Sequence, residues 1–509
     1  MGIRAFKYRI YPNKFVTEKL EWTLEQCRQL YNAALSDRAA SYRSARVVPV
    51  DGDGNKIDFF TYALLPWTEY TPIRIDSEAP PVSVGKYEQS RKLTIIKREL
   101  RPEWQEASSA HMLGESLDRA DKAYQNFFRR CKEGYVGKDA GYPNFKGKKN
   151  YNSFKYPDAS GWELETFADR PKRAKLNLSR IGEIKVHYHR PHEGKIANCI
   201  IERDRDEWYC VLVCKEDEVT TSDPYSPLSS EDVGIDVGLK SFAALSDGTF
   251  IENPRFLRQS EERLKILQKA LSGKQKGSKR WRKKRKEIGN LYRRIRNQRW
   301  DFHHKESRRL VSLFQIIAFE KLAIKNMVRR PKPKQNELTG RYLPNGASAK
   351  SGLNKSIHDA GWGGFIHMVI YKAKRAGRDV RLVPPKNTSQ MCSGCGLFPC
   401  AHCGHQHAKA VKECVSCKKQ RSKDLKERWH VCACGCELDR DVNAAKNILA
   451  LGLSLDRNSD EEAEDMPQRE DACLEEVVIE PPQSRLPWSG VTRSKRSTPV
   501  IPYVQLSLW

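Results

Sequence analysis

A chain of 509 residues with 91 Lys and Arg against 64 Asp and Glu carries a formal net charge of +27 and has room for about three domains. Its 39% apolar and 9% aromatic residues suffice for a buried core, which excludes wholesale disorder. The lack of any apolar run of about 18 residues excludes a membrane-spanning helix. Met1 to Pro12 holds no apolar signal core, so a soluble cytoplasmic protein is expected, and for a cation of this size nucleic acid is the default partner.

Ala5 to Tyr11 alternates like a short strand that Pro12 ends. From about residue 14 to 45 the pattern turns helical, with Leu20, Leu24, Cys27, Leu30, Tyr31 and Ala34 on one stripe. Residues 47–85, rich in Pro, Gly and Asp, read as a loop or insertion. A second helix runs to about Lys132; Leu113, Leu117, Ala120, Tyr124, Phe127 and Cys131 step by four and three along a packing stripe, and Gly134 caps its end. Ala174–Ser179, Glu183–Tyr188, Ile196–Asp204 and Glu207–Glu216 then read as antiparallel strands, with a hairpin turn at Asp204 to Asp206. They predict a β-barrel that the N-terminal strand completes, the helices being inserted between.

Asp223 to Ser230 is a Pro/Ser linker. Glu231 to Asn253 reads as a three-strand meander with a hairpin at Asp247-Gly248. A long charged helical stretch spans about Arg255 to Leu313, and Phe314 to Leu322 is an apolar strand. After a Pro/Lys/Gly-rich loop over 327–352, Asn354 to Ala376 is helical and Val380 to Val383 is a further strand.

The charge is unevenly spread. Asp456 to Glu480 carries 11 acids against Arg457 and Arg469, so the first 455 residues hold a net +32 and an acidic tail follows them. Within that body, residues 141–157 interleave lysines with Tyr142, Phe145, Tyr151, Phe154 and Tyr156, a pattern in which ammonium groups meet phosphates while rings stack on bases. Lys274 to Arg299 holds 13 Lys and Arg against Glu287 alone. The candidate nucleic-acid contacts are Tyr142, Phe145, Lys146, Lys148 and Lys149 in the first stretch and Lys283, Lys284 and Arg285 in the second. A solvated basic loop and a solvated helix face are the plainer alternatives.

Three acids stand out. Asp236 interrupts the apolar strand GIDVG, Glu320 ends IIAFE, and Asp441 opens the helical DVNAAKNILAL. Buried charge is costly unless paired or bound to metal. Each acid alone has an ordinary explanation, such as an ion pair or a helix cap. Together, an acid in the first strand of a meander, one ending a later strand and one on a C-terminal helix form the layout of an RNase H-like nuclease, in which three carboxylates hold two Mg²⁺ for phosphodiester hydrolysis.

Nine of the 15 cysteines lie between Cys392 and Cys436. Short spacings of this kind read as zinc ligation and not as a disulfide framework. The simplest partition is nested: an outer site of Cys392, Cys395, Cys432 and Cys434, and an inner site of Cys400, Cys403, Cys414 and Cys417. Four thiolates leave no open position, so the zinc is structural. Cys436 is an alternative to Cys434, and His402, His405 and His407 leave the inner set open.

GIDVG, FEKLAIKNM, TSQMCSGCG and LDRDVNAAKNIL resemble the RuvC nuclease domain of the transposon-encoded TnpB proteins and of the compact type V CRISPR effectors. FKYRIYPN, LDRADKAYQNFFRRCKEG, GYPNFKGK and LNKSIHDAGWGGF extend the likeness over most of residues 1–452. The resemblance implies that Asp236, Glu320 and Asp441 are the catalytic metal ligands; Asp439 is the rival for the third place, and Asp441 is preferred because the family's acid directly precedes x-Asn-Ala-Ala. It implies a multidomain α+β protein: a wedge β-barrel interrupted by a helical recognition lobe, then an RNase H-like RuvC α/β domain with an inserted zinc-ribbon module. The boundaries expected are 1–12 and 141–225 for the barrel, 13–140 for the lobe, 229–390 and 437–453 for the nuclease, 391–436 for the zinc module and 454–509 for a disordered tail. The C-x-C closure of the outer knuckle, the inner cysteine quartet and the tail depart from the family pattern, and none touches the three acids.

The function implied is an RNA-guided DNA endonuclease of prokaryotic, nucleoid-associated setting, with a guide RNA and target double-stranded DNA as partners, a short target-adjacent motif, two Mg²⁺ and one or two Zn²⁺. A guided protein that represses without cutting is one alternative, and all three acids being present speaks for cleavage. A DNA transposase is the other, and the Asp–Glu–Asp order with a zinc knuckle between the last two speaks against it.

Overall fold

The computed structural model describes residues 2–41, 46–49, 59–64, 73–76, 84–107, 110–137, 140–216, 231–336, 339–419 and 428–455. The Asp223–Ser230 linker, the acidic tail and much of the 47–85 segment lie outside them. The described residues fall into two compact units that divide near residue 220. Among them no helix is long and apolar enough to cross a membrane.

The first unit joins a seven-stranded sheet to a helical layer. Strand β1 (Gly2–Tyr11) is followed by helices α1 (Lys14–Ser41), α2 (Lys86–Glu99) and α3 (Ala110–Lys132). Then come β2 (Ser153–Tyr156), β3 (Trp162–Thr166), β4 (Arg173–Leu178), β5 (Gly182–His187), β6 (Lys195–Asp204) and β7 (Glu207–Glu216). The sheet order is β2-β6-β7-β1-β5-β4-β3, with antiparallel neighbours throughout. Alternation in β1 buries Phe6, Tyr8 and Ile10, and they share one core with Leu20, Leu24 and Leu30 of α1 and Leu113 and Leu117 of α3. Asn13 starts α1 by accepting the Val16 amide at 2.8 Å, the place where a capping side chain satisfies an orphan N–H.

Two expectations change here. The barrel is not closed: β2 and β3 are the edges of the sheet, four and five residues long, and each is paired on one side only among the described residues. Both strands were unmarked in the sequence because they are short and lie in the Lys-rich and Trp/Glu-rich stretches. The aromatics of residues 141–157 also divide. Tyr151, Phe154 and Tyr156 are buried in the core, so only Tyr142 and Phe145 remain exposed.

The second unit is built on a five-stranded mixed sheet. Its strands are β8 (Val233–Val237), β9 (Ser241–Leu245), β10 (Phe250–Glu252), β11 (Ile316–Glu320) and β12 (Asp379–Val383), in the order β10-β9-β8-β11-β12. The meander pairs antiparallel, whereas β11 runs parallel to both β8 and β12. The charged helical stretch is two helices, α4 (Phe256–Ser272) and α5 (Lys279–Leu313), because the Gly- and Lys-rich turn between them stops the first and Ser278 caps the second by accepting the Trp281 amide. The predicted 354–376 helix is likewise a pair, α6 (Ala347–Ala360) and α7 (Trp362–Arg375), broken at Gly361 in a left-handed conformation with φ +66°.

The cysteine-rich segment closes on a small hairpin, β13 (Trp429–Val431) with β14 (Glu437–Asp439), which runs directly into helix α8 (Arg440–Ser454). Helix α8 lies against the sheet through two glycines. A Cβ at Gly234 would stand 2.0 Å from the Ala445 carbonyl oxygen, and one at Gly452 would stand 2.7 Å from the Ala318 Cβ.

Candidate active site and cysteine centres

The parallel arrangement of β8 and β11 carries Asp236 and Glu320 to the same end of the sheet. In β8 the burial pattern runs from fully buried Val233, Gly234 and Ile235 to partly exposed Asp236 and Val237, so the carboxylate emerges where the strand leaves the core. Glu320 emerges in the same way after buried Ile317, Ala318 and Phe319. Asp441 sits in the first turn of α8, whose cap is Asp439: its carboxylate accepts the Asp441 amide at 2.8 Å. The two rival acids thus stand differently, Asp439 turned back onto the helix end and Asp441 one residue into the helix.

The site is electrostatically loaded. Burial pushes the Asp236 carboxyl up to about 8, and the nearby Glu320, Asp441 and Asp439 push the same way, with Arg440 opposing. Among the described residues Asp236 has no ion-pair partner. Glu320 is also raised by burial, against which the Thr388 hydroxyl hydrogen bond acts. Asp441 is met by the Arg428 guanidinium, 3.4 Å from both of its oxygens, and by Arg440 Nε at 3.8 Å. A buried acid surrounded by acids is a donor set that a hard cation satisfies and that protons otherwise must. The three carboxylates do not converge tightly: among the described residues, the sets of three or more His, Cys, Asp and Glu ligand atoms within 4.8 Å of one another are all built on cysteine. One Mg²⁺ with bonds of about 2.1 Å would require its ligands within ~4.2 Å of each other, so a single ion cannot touch all three acids at these spacings.

The cysteines form the two nested quartets read from the spacing. Cys392, Cys395, Cys432 and Cys434 are one cluster, and Cys400, Cys403, Cys414 and Cys417 the other. Sulfur separations are 3.6 Å for Cys392–Cys434 and Cys403–Cys414, and 3.7 Å for Cys395–Cys432 and Cys400–Cys417. A tetrahedron with Zn–S bonds of about 2.3 Å has edges of about 3.8 Å, so each quartet could hold one zinc. No histidine belongs to the inner cluster. Cys436 lies instead in a third group with Cys392 and His430.

The knuckles explain the odd closure. In the three C-x2-C loops the residue after the second cysteine bonds back to the first cysteine: Gly396 to Cys392, Gly404 to Cys400 and Lys418 to Cys414, at 2.9–3.0 Å and with positive φ. In Cys432-Ala-Cys434 the glycine comes one residue earlier, and Gly435 reaches Cys432 at 3.0 Å. The shorter spacing is a tighter turn made to the same end.

The basic candidates are exposed with one exception. Phe145, Lys146, Lys148 and Lys149 lie on a surface loop whose backbone is pinned at Lys146: its amide donates to Asn32 at 2.8 Å and its carbonyl accepts from Asn32 and Arg28. Tyr142 packs edge-on against Tyr124 and Phe127 yet stays 41% exposed. On α5, Lys283 and Arg285 face solvent, Arg285 over the Trp281 ring, whereas Lys284 is half-buried in an ion pair with Glu287.

Three buried residues beside the acids are absent from the sequence-derived candidates, Thr388, Asn443 and Asn447, and Thr388 carried no marker. The two asparagines were findable, because they stand one turn apart on the otherwise apolar face of α8.

Comparison with known proteins finds three family profiles. One described as "Probable transposase" (OrfB_IS605) matches residues 210–330; one described as "Cas12f1-like, TNB domain" matches 362–411 and 408–448; and a "Helix-turn-helix domain" profile matches 1–46, where β1 and α1 lie. The "Putative RNA-guided DNA endonuclease InsQ" of Escherichia coli (strain K12) is 32% identical over 450 residues, covering 88% of this chain and 92% of the relative. A "Putative RNA-guided DNA endonuclease" of Streptomyces pristinaespiralis is 28% identical over 456 residues, 89% and 90% of the two chains. A chain from the cryo-EM structure of the Cas12f1-sgRNA-target DNA complex aligns over 88% of this chain and 99% of its own at 16% identity, with a TM-score of 0.27.

Proposed function

This chain belongs to the OrfB_IS605/TnpB family, and from that premise we propose that it is an RNA-guided DNA endonuclease whose cutting centre is Asp236, Glu320 and Asp441. The observation that carries the reading is the gathering of three acids from β8, β11 and α8 at one end of a mixed sheet ordered 3-2-1-4-5, the order of an RNase H-like, RuvC-type nuclease. Partners are a guide RNA and a target duplex. Pairing between them carries the sequence specificity, and the protein contributes backbone contacts and a short adjacent motif.

Two Mg²⁺ supply an activated water and stabilisation of the leaving oxygen in such a centre. The chain's own part is positional. Asp236 feels the charge of Glu320, Asp441 and Asp439, holds its proton most tightly, and must give it up for cations to enter. Glu320 holds one carboxylate oxygen on the Thr388 hydroxyl and leaves the other for a ligand. Asp441 is fixed at its amide by Asp439. The strand ends bring out Asp236 and Glu320, and the first turn of α8 adds Asp441. The two cysteine quartets hold structural zinc, and the exposed lysines of the 145–149 loop and of α5 contact phosphates.

The test uses full-length protein expressed with its native flanking DNA. Its co-purifying RNA is sequenced, and a matched duplex is offered in Mg²⁺. Cutting by the wild type and no cutting by Asp236→Ala, with RNA binding kept, is the expected result. Tight binding of a matched target without any cutting would leave repression by occupancy instead.

A further inference from the structure

The short segment from Thr388 to Ser393 connects the outer cysteine quartet to the acids. It leaves β12 beside Glu320: Glu320 is in register with Val383, and the Lys321 amide donates to the Val383 carbonyl at 2.8 Å. Asn387 then takes a left-handed conformation, φ +70°, and its carbonyl accepts the amides of Gln390 and Met391. This turn delivers the Thr388 hydroxyl to the Glu320 carboxylate. Four residues after Thr388 the chain reaches Cys392.

The same segment is bound to the helix that bears Asp441. Asn447 donates to the Thr388 and Met391 carbonyls at 2.8 and 2.7 Å. Asn443, one turn nearer Asp441, donates to the Met391 carbonyl at 2.7 Å and accepts the Ser393 amide at 2.9 Å. Asn443 is fully buried, and Thr388 and Asn447 are each 2% exposed. Buried amides of this kind are retained only when every bond they make is satisfied. Here all of the bonds go to one strap.

We propose that residues 388–393 are a positioning strap that makes the outer zinc site part of the cutting centre. Thr388 sets the orientation of Glu320, and Asn443 and Asn447 hold the strap in register with Asp441. Zinc at Cys392 anchors its far end, while β13 and β14 anchor the other side of the knuckle to the start of α8. The strap thereby acts on cutting without touching substrate. The inference rests on the cleavage reading above, and it names Thr388, Asn443 and Asn447 as positioning residues for that centre.

Thr388→Val removes the hydroxyl at nearly constant volume, and Thr388→Ser restores it. With guide RNA bound, Thr388→Val is expected to lower kcat for target cutting at least 10-fold, to leave target affinity within about twofold and to keep the wild-type zinc content. Thr388→Ser should return to within about threefold of wild type. Asn447→Ala should show the same kcat loss with zinc retained. The second readout is Mn²⁺ binding to the protein–RNA complex, followed by electron paramagnetic resonance: Thr388→Val should weaken it about fivefold, and Thr388→Ser should not. Wild-type cutting and Mn²⁺ affinity in Thr388→Val, or equal losses in the Val and Ser variants, would overturn the strap. Should the wild type itself not cut, the cleavage reading falls, and the Mn²⁺ comparison still decides the strap.

Discussion

Gly234 of β8 meets the backbone of Ala445 in α8 with no room for a side chain: a Cβ at 234 would lie 2.0 Å from the Ala445 oxygen and 2.6 Å from the Leu449 nitrogen. The first glycine of GIDVG therefore sets how closely the helix bearing Asp441 can approach the strand bearing Asp236. Gly234→Ala should push α8 outward, cost about 1–3 kcal/mol of stability and reduce cutting far more than RNA binding. Parallel denaturation and cleavage assays check this, and an unchanged cutting rate would break the link.

Asp236 makes an unusual pH dependence. A carboxyl raised to about 8 in the folded protein binds a proton that the unfolded chain has already released above its ordinary value near 4. In protein stripped of divalent cations, the contribution of Asp236 to stability should therefore be full below about pH 4 and be lost as pH rises toward 8. Asp236→Asn should flatten that slope, Glu320 and Asp359 being raised by burial as well, and stabilise the metal-free protein at pH 8 by on the order of 2–5 kcal/mol. Thermal melts at several pH values in chelator test it; a wild-type slope that the variant keeps would contradict the assignment.

Elemental analysis should find two zinc ions per chain. Cys414→Ser should remove one and leave the outer quartet filled, and Cys395→Ser should remove the other. The sulfur spacings of 3.6–3.7 Å in both clusters are the basis. A single zinc in the wild type would eliminate the nested arrangement.

The exposed lysines predict a salt signature. Replacing Lys146, Lys148 and Lys149 by Ala should weaken RNA binding and flatten the slope of log K against log salt by about 0.7 for each phosphate no longer neutralised. Phe145→Ala should weaken binding with little change in slope, because stacking releases no counterions. Lys284→Ala should matter less than Lys283→Ala, since Lys284 is already paired with Glu287. Filter-binding titrations across salt separate these outcomes.

Much of this was legible without coordinates. Strand alternation in β1, the meander around Asp236 and the stripe of α3 each rest on a period of two or of 3.6. The cysteine pairs followed from spacing, because a C-x2-C loop presents two sulfurs to one ion, while the folded chain grouped the pairs into quartets and set Cys434 apart from Cys436. The breaks at Gly273–Ser278 and Gly361 were missed, since a helical pattern continues on both sides and one residue's backbone angle ends it. β2 and β3 were missed because four or five residues show too little alternation.

Local chemistry determined by the sequence is therefore of one kind: which residues are strands, which are acids in apolar company, which cysteines can share a metal, and that the +27 of the whole chain is a +32 body of 455 residues offset by the tail. Tertiary structure decided whatever depends on residues far apart in the chain. It left the first sheet open where a barrel was expected, and it buried Tyr151, Phe154 and Tyr156 where stacking faces were expected. It also joined Thr388 to Glu320 across 68 residues and Asn447 to Thr388 across 59. Periodicity reports the neighbours of a residue along its own element; hydrogen bonds between elements depend on packing, and only the folded chain contains them.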